Sequence, residues 1–172
     1  MNKVLKFLNT ILTTTITIFL SSMVILVFMN VVLRYVFNSG ITWSEEMARY
    51  LFVWIVFLGT IVAFKDKAHL GVDLFIGSLK PKLQKVLYVL NNLVIIGLMA
   101  IVINGGMKMM VINSNSYGPA TGIPLSVLFF AGTLAAFVMI LMSITQTIRY
   151  VVFDQDPPAY VRDKVVEKEG DQ

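Results

Sequence analysis

Three groups of side chains in this sequence have the types and spacing to do chemistry. The first is Glu45 and Glu46, adjacent carboxylates with Arg49 four and three residues further on. On a helix that spacing puts Arg49 on one face within reach of both acids. Carboxylates of this kind can couple proton movement to transport, but coupling groups normally lie deep in the membrane, where a charge is costly. Glu45 and Glu46 instead open an apolar run, beside Trp43, which stands where an interfacial aromatic belongs. They read as ionised, paired and interfacial, with Arg34 as a further member of one charge cluster. The second group is Asp66, His69 and Asp73, at spacings of three and four that one helical face could share. Lys65 and Lys67 crowd that face and Gly71 weakens a helix there, so His69 and Asp73 read as polar surface rather than metal ligands. The third is Met107, Met109 and Met110. A thioether copper site wants thiolate or imidazole neighbours, and none is close, so these methionines read as packing.

Composition narrows the chemistry further. The chain has no cysteine, which excludes disulfides, thiolate catalysis and zinc–thiolate sites, and its single histidine excludes a multi-histidine metal site within one chain. No nucleophile elbow, phosphate loop or HExxH pattern occurs, so the sequence reads as neither an enzyme nor a cofactor carrier. The formal charge is +4, but the basic residues gather at the ends of apolar segments rather than on one face. That is the pattern of membrane topology, not of nucleic-acid binding.

The elements that must position these residues are membrane spans. Of 172 residues, 57% are hydrophobic and 14% charged, far below the roughly 25% charge of a soluble domain. The predicted fold is an all-α integral membrane protein with four transmembrane helices, spanning about 7–33, 44–64, 86–110 and 124–148. No small-residue cleavage site follows the first run, which therefore reads as an uncleaved helix. A membrane domain over 1–153 is followed by a soluble tail over 154–172. A short interfacial segment, broken at Gly77 and Pro81 and carrying His69 and Asp73, lies between the second and third spans.

Local signals refine the spans. Thr42-Trp43-Ser44-Glu45 predicts a capping box at the start of the second. Asn38-Ser39-Gly40 predicts a break after the first, and Pro124 the first turn of the fourth. Thr10, Thr14, Thr17 and Ser21 fall on one face of the first span, a pattern that favours contact with another helix. Asn91, Asn92 and Asn104 sit inside the third and are expected to face protein. Gly97, Gly105 and Gly106 there, and Gly132 with Ala136 in the fourth, invite close helix approach.

Orientation follows from the cations. Lys3 and Lys6, then Lys65, Lys67, Lys80, Lys82 and Lys85, then Arg149, Arg162, Lys164 and Lys168 mark both termini and the middle connection as cytoplasmic. The segment from Arg34 to Arg49 and the uncharged loop 113–122 then face outward.

Asn30, Arg34-Tyr35-Val36-Phe37-Asn38, Trp43-Ser44-Glu45-Glu46, Arg49, Phe52-Val53-Trp54, Phe57-Leu58-Gly59, Ala63, His69 and Val72-Asp73 follow one another in an order and spacing that resembles the small, DctQ-type membrane subunit of tripartite ATP-independent periplasmic (TRAP) transporters. The resemblance implies a scaffold role in the bacterial inner membrane. The partners implied are a large membrane subunit, which carries the substrate and sodium sites, and a periplasmic binding protein that delivers an organic anion of the sialic acid or C4-dicarboxylate type. With no apolar segment after the fourth, the chain reads as the form not fused to that large subunit. The alternative from the residues alone is a self-contained, homo-oligomeric carrier or channel.

Overall fold

The computed structural model describes residues 3–65 and 81–151. They form four α-helices: α1 (Lys3–Val36), α2 (Thr42–Lys65), α3 (Pro81–Ile112) and α4 (Ser126–Val151). Each is long and apolar enough to cross a membrane. Among the described residues there is no strand beyond one isolated bridge, Tyr117 to Pro124. The protein is all-α and multi-pass. The expected interfacial segment with His69 and Asp73, and the expected tail, lie outside the described residues.

Helix ends differ from expectation where a proline or a cap was read. The third span was expected from about Val86, and α3 begins earlier, at Pro81, the residue read as ending the segment before it. Its missing N–H falls among the donors that a first turn leaves unpaired in any case. Pro124 was expected in the first turn of α4. It pairs instead with Tyr117, and α4 starts two residues later. Thr42 is the first helical residue of α2 rather than its cap. The carbonyl of Ile41 accepts from the Ser44 N–H at 3.1 Å and from the Ser44 hydroxyl at 3.0 Å. After α1, Asn38 takes a left-handed conformation, φ 49°, which asparagine tolerates better than most residues. This turn lets the N–H groups of Phe37 and Ser39 both reach the Leu33 carbonyl, at 3.1 Å each.

Contacts divide the chain into two compact units. One comprises Met1–Val62 and Val102–Ala135. Its core lies between α2 and α4, where Tyr50, Leu58, Ile61, Ala131 and Ala135 are buried. Gly132 makes room for the Phe57 ring, whose Cζ lies 2.9 Å from where a Cβ would stand. Trp54 and Phe130 pack as tilted rings 6.2 Å apart, a favourable geometry for aromatic quadrupoles. Gly106 of α3 fits against the Thr133 side chain of α4.

The other unit comprises Ala63–Ile101 and Ala136–Gln172. There the fully buried Ser143 donates its hydroxyl to Asn92 Oδ1 at 2.7 Å, and Asn92 Nδ2 donates to the Tyr88 carbonyl at 2.9 Å. Asn92 thus faces protein, as expected of a polar residue in a span. Asn104 is exposed on this chain.

Internal packing is uneven among the helices. In the apolar windows of α1 and α3 only 6% of residues are buried, against 22% in α2 and 33% in α4. α2 and α4 therefore carry most of the packing within the chain, and α1 and α3 present their lengths to lipid or to other chains. Thr10, Thr14, Thr17 and Ser21 are all on the exposed side of α1. Thr17 bonds the Thr13 carbonyl of its own helix at 2.9 Å.

Candidate functional site

The first two turns of α2 carry Glu45, Glu46 and Arg49, and two connections close on them. The first is the α1–α2 turn. Asn30, buried near the end of α1, accepts from the Ile41 N–H at 2.7 Å and donates through Nδ2 to Glu45 Oε1 at 3.4 Å. The Ile41 amide, just ahead of α2, thus gains an acceptor from the neighbouring helix. Arg34, one turn after Asn30, forms an ion pair with Glu45 at 3.7 Å, with both side chains 67% exposed. Asn30, Arg34, Asn38, Gly40, Thr42 and Glu45 line an open hollow of about 500 Å³.

The second connection is the α3–α4 loop. Glu46 turns away from Glu45 and accepts, through Oε2, from the backbone N–H groups of Ala120 at 2.9 Å and Thr121 at 3.1 Å. Gly118 lies so close to the Glu46 carboxylate that a Cβ there would collide with it. The loop is braced from within by Gly118 N–H to the Ile123 carbonyl and Leu125 N–H to the Ser116 carbonyl, each at 2.9 Å. The buried Tyr50, one turn beyond Glu46, donates its hydroxyl to the Ile123 carbonyl at 3.0 Å.

The residues expected to form one charge cluster are thus distributed over two contacts. Arg34 and Glu45 pair directly, while Glu46 is committed to the loop. Arg49, expected as the shared counter-charge, is exposed and makes no ion pair within 4 Å among the described residues. The physical reason is that two fixed backbone donors hold Glu46 better than one long, solvated guanidinium. Trp43 is 46% exposed and lines a hollow with Gly40, Pro119 and Ala120. His69 and Asp73 lie outside the described residues. Tyr50, Gly118, Ala120 and Thr121 were not singled out from the sequence. Among the described residues no group of three His, Cys, Asp or Glu could hold a metal. Among the described residues, the arrangement ties the α1–α2 turn and the α3–α4 loop to the start of α2.

An all-α chain of four helices long and apolar enough to span a membrane, with its charges gathered at helix ends, defines a class: a multi-pass integral membrane protein. The comparisons make that class specific. Residues 23–152 match the family described as tripartite ATP-independent periplasmic transporters, DctQ component. A TRAP transporter small permease protein of Haemophilus influenzae is 35% identical over 153 residues, 89% of this chain and 95% of its own length. A second from that organism is 37% identical over 134 residues, 78% of this chain and 81% of its own. The C4-dicarboxylate TRAP transporter small permease protein DctQ of Vibrio cholerae is 37% identical over 70 residues, 41% of this chain and 30% of its own. The chain belongs to the DctQ family and is a small permease subunit of a TRAP transporter. This is a family of transporter permease subunits, not of enzymes.

Proposed function

We propose that this subunit scaffolds a large, sodium-coupled permease subunit in the bacterial inner membrane. Both of its termini are cytoplasmic, and a periplasmic binding protein delivers an organic anion of the sialic acid or C4-dicarboxylate type to the assembly. The observation that carries this reading is the position of the charges. Within the described spans Arg34, Glu45, Glu46, Arg49, Lys65, Lys85, Lys108 and Arg149 all lie towards helix ends, which leaves the span centres without a coupling group. Coupling then belongs to another chain. The family's designation as one component of a tripartite system and its relatives' designation as small permeases support further parts. The name of the Vibrio cholerae relative supports a dicarboxylate-type anion. The lysine asymmetry supports the orientation.

Reconstitution tests it. In liposomes with an inward sodium gradient, the purified chain alone is expected to move neither sialic acid nor succinate. Addition of the large subunit and the binding protein is expected to restore uptake of one of them. Sodium-driven uptake by the chain alone would reject the scaffold in favour of a self-contained carrier.

A further inference from the structure

We infer that the α3–α4 loop is a carboxylate-binding site, built from the Ala120 and Thr121 N–H groups and the gap at Gly118, which Glu46 masks as a tethered occupant. The ligand it takes once the Glu46 side chain is cut away is a small organic monocarboxylate with an unhindered head, of the formate or acetate kind. The inference goes beyond the proposed function and does not depend on it.

The two oxygens of the seated carboxylate are received differently. Oε2 accepts from two consecutive N–H groups, Ala120 at 2.9 Å and Thr121 at 3.1 Å. Consecutive amides that point to one place form a concave anion receptor, and a charged acceptor strengthens such bonds. Oε1 fills the place that a Gly118 side chain would take. Thr121 Oγ1 stands 2.9 Å from that same place. It accepts from the Ile123 N–H at 3.3 Å, which leaves its own proton free to turn towards Oε1.

The site owes its shape to bonds that do not involve Glu46. The Gly122 N–H donates to the Gly118 carbonyl at 2.9 Å and closes a turn around the two amides. Gly122 takes φ 69°, a conformation open to glycine. The bonds from Gly118 N–H to the Ile123 carbonyl and from Leu125 N–H to the Ser116 carbonyl brace the base of the loop, and the Tyr50 hydroxyl ties Ile123 to α2. All of these groups remain when the Glu46 side chain is shortened. The two amides then keep their place without an acceptor, which is unfavourable, and a free carboxylate can supply one. Ala120 is exposed and Thr121 half-buried, so a small ion can reach them from solvent.

The geometry also sets selectivity. Chloride can meet the two amides but cannot fill the Gly118 gap at the same time. Phosphate brings further oxygens and charge, and residues 113–122 hold no cation to meet them. A planar head with two oxygens satisfies both halves of the site.

The test follows hydrogen exchange at Ala120 and Thr121 in the full chain in detergent. Sodium acetate or formate is titrated against sodium chloride at matched ionic strength and pH. In Glu46→Ala, where these amides are expected to exchange about ten-fold faster than in the wild type, acetate and formate should recover most of that loss with a saturable dependence, and chloride little of it. The wild-type chain is expected not to respond, because its site is filled. Glu46→Ala combined with Gly118→Val, which closes the gap, is expected not to respond either. Glu46→Ser carries the same titration if Glu46→Ala does not fold. Equal recovery by chloride and acetate overturns the inference in favour of general charge screening. Recovery that persists with Gly118→Val overturns it in favour of an anion bound elsewhere. No recovery by either carboxylate overturns it and makes the shape of the loop a product of Glu46 itself.

Discussion

The α1–α2 turn and the α3–α4 loop both close on the first two turns of α2, one through Glu45 and the other through Glu46. The two carboxylates are neighbours in sequence, yet they are held in different ways. Glu45 meets two side chains, Asn30 at 3.4 Å and Arg34 at 3.7 Å, in an exposed setting. Such pairs can rearrange at little cost. Glu46 meets two backbone N–H groups at 2.9 and 3.1 Å, in a space left by the missing side chain of Gly118. Charge-assisted bonds to backbone donors are short and strong, and the donors cannot swing away. The turn therefore has one firm point, the bond from Ile41 N–H to Asn30, surrounded by adjustable charges. The loop is fixed as a unit. An adaptable surface and a preformed one stand side by side at the same helix start.

Removing the loop's anchor should have the largest effect. Glu46→Ala leaves the Ala120 and Thr121 amides without their acceptor, and hydrogen exchange over 118–123 is expected to accelerate by about ten-fold or more. Glu46→Gln should fall between, because its amide oxygen still accepts but carries no charge. Gly118→Val should reproduce the Glu46→Ala result from the loop side. Unchanged exchange in all three would mean that the Tyr117–Pro124 bridge and the Tyr50 bond hold the loop unaided, and the contrast with the turn would lose its cause.

A smaller effect is expected at the turn's firm point. Asn30→Leu deprives the half-buried Ile41 N–H of its acceptor, which costs about 1 kcal/mol, the low end of the range for an unsatisfied group. Thermal unfolding in detergent should report a clear fall. The smallest effect belongs to Arg34→Gln. An exposed pair is worth about 0–1 kcal/mol, and the difference between variant and wild type should vanish at high salt, where surface charges are screened. A large, salt-independent loss there would make the two contacts equivalent.

The spans were legible because membrane helices advertise themselves by length and apolarity, as 44–64 within Thr42–Lys65 shows. Arg34 and Glu45 were legible as members of one charge cluster, because ionic groups carry their signature in their residue types, but helical spacing assigns Glu45 to Arg49, and its pairing with Arg34 comes from the fold. The partner of Glu46 was not legible. It consists of backbone N–H groups in a loop without any charge, and every non-proline residue has that group. The side chains give no sign of which amides will be offered. Thr42 and Glu45 match the capping-box pattern, but Glu45 reaches α1 instead, because Asn30 and Arg34 lie closer to it than local spacing alone can reveal. Asn104 shows the converse. The sequence marked it as facing protein, and no partner for it lies among the described residues of this chain.

The separation of these contacts along the chain orders events during synthesis. Asn30 and Ile41 are 11 residues apart, so the first hairpin can close its own polar contact as soon as it emerges. Glu46 and Ala120 are 74 residues apart. At about 5–20 residues per second, a ribosome needs roughly 4–15 s to supply the amides that Glu46 requires. Through that interval the carboxylate waits at the start of a finished helix, where the exposed amides and the positive end of the dipole favour a negative charge. Closure of the second contact then becomes a checkpoint: the loop can be captured only after α3 has been made, and the capture reports that the chain has returned to the side from which α2 set out.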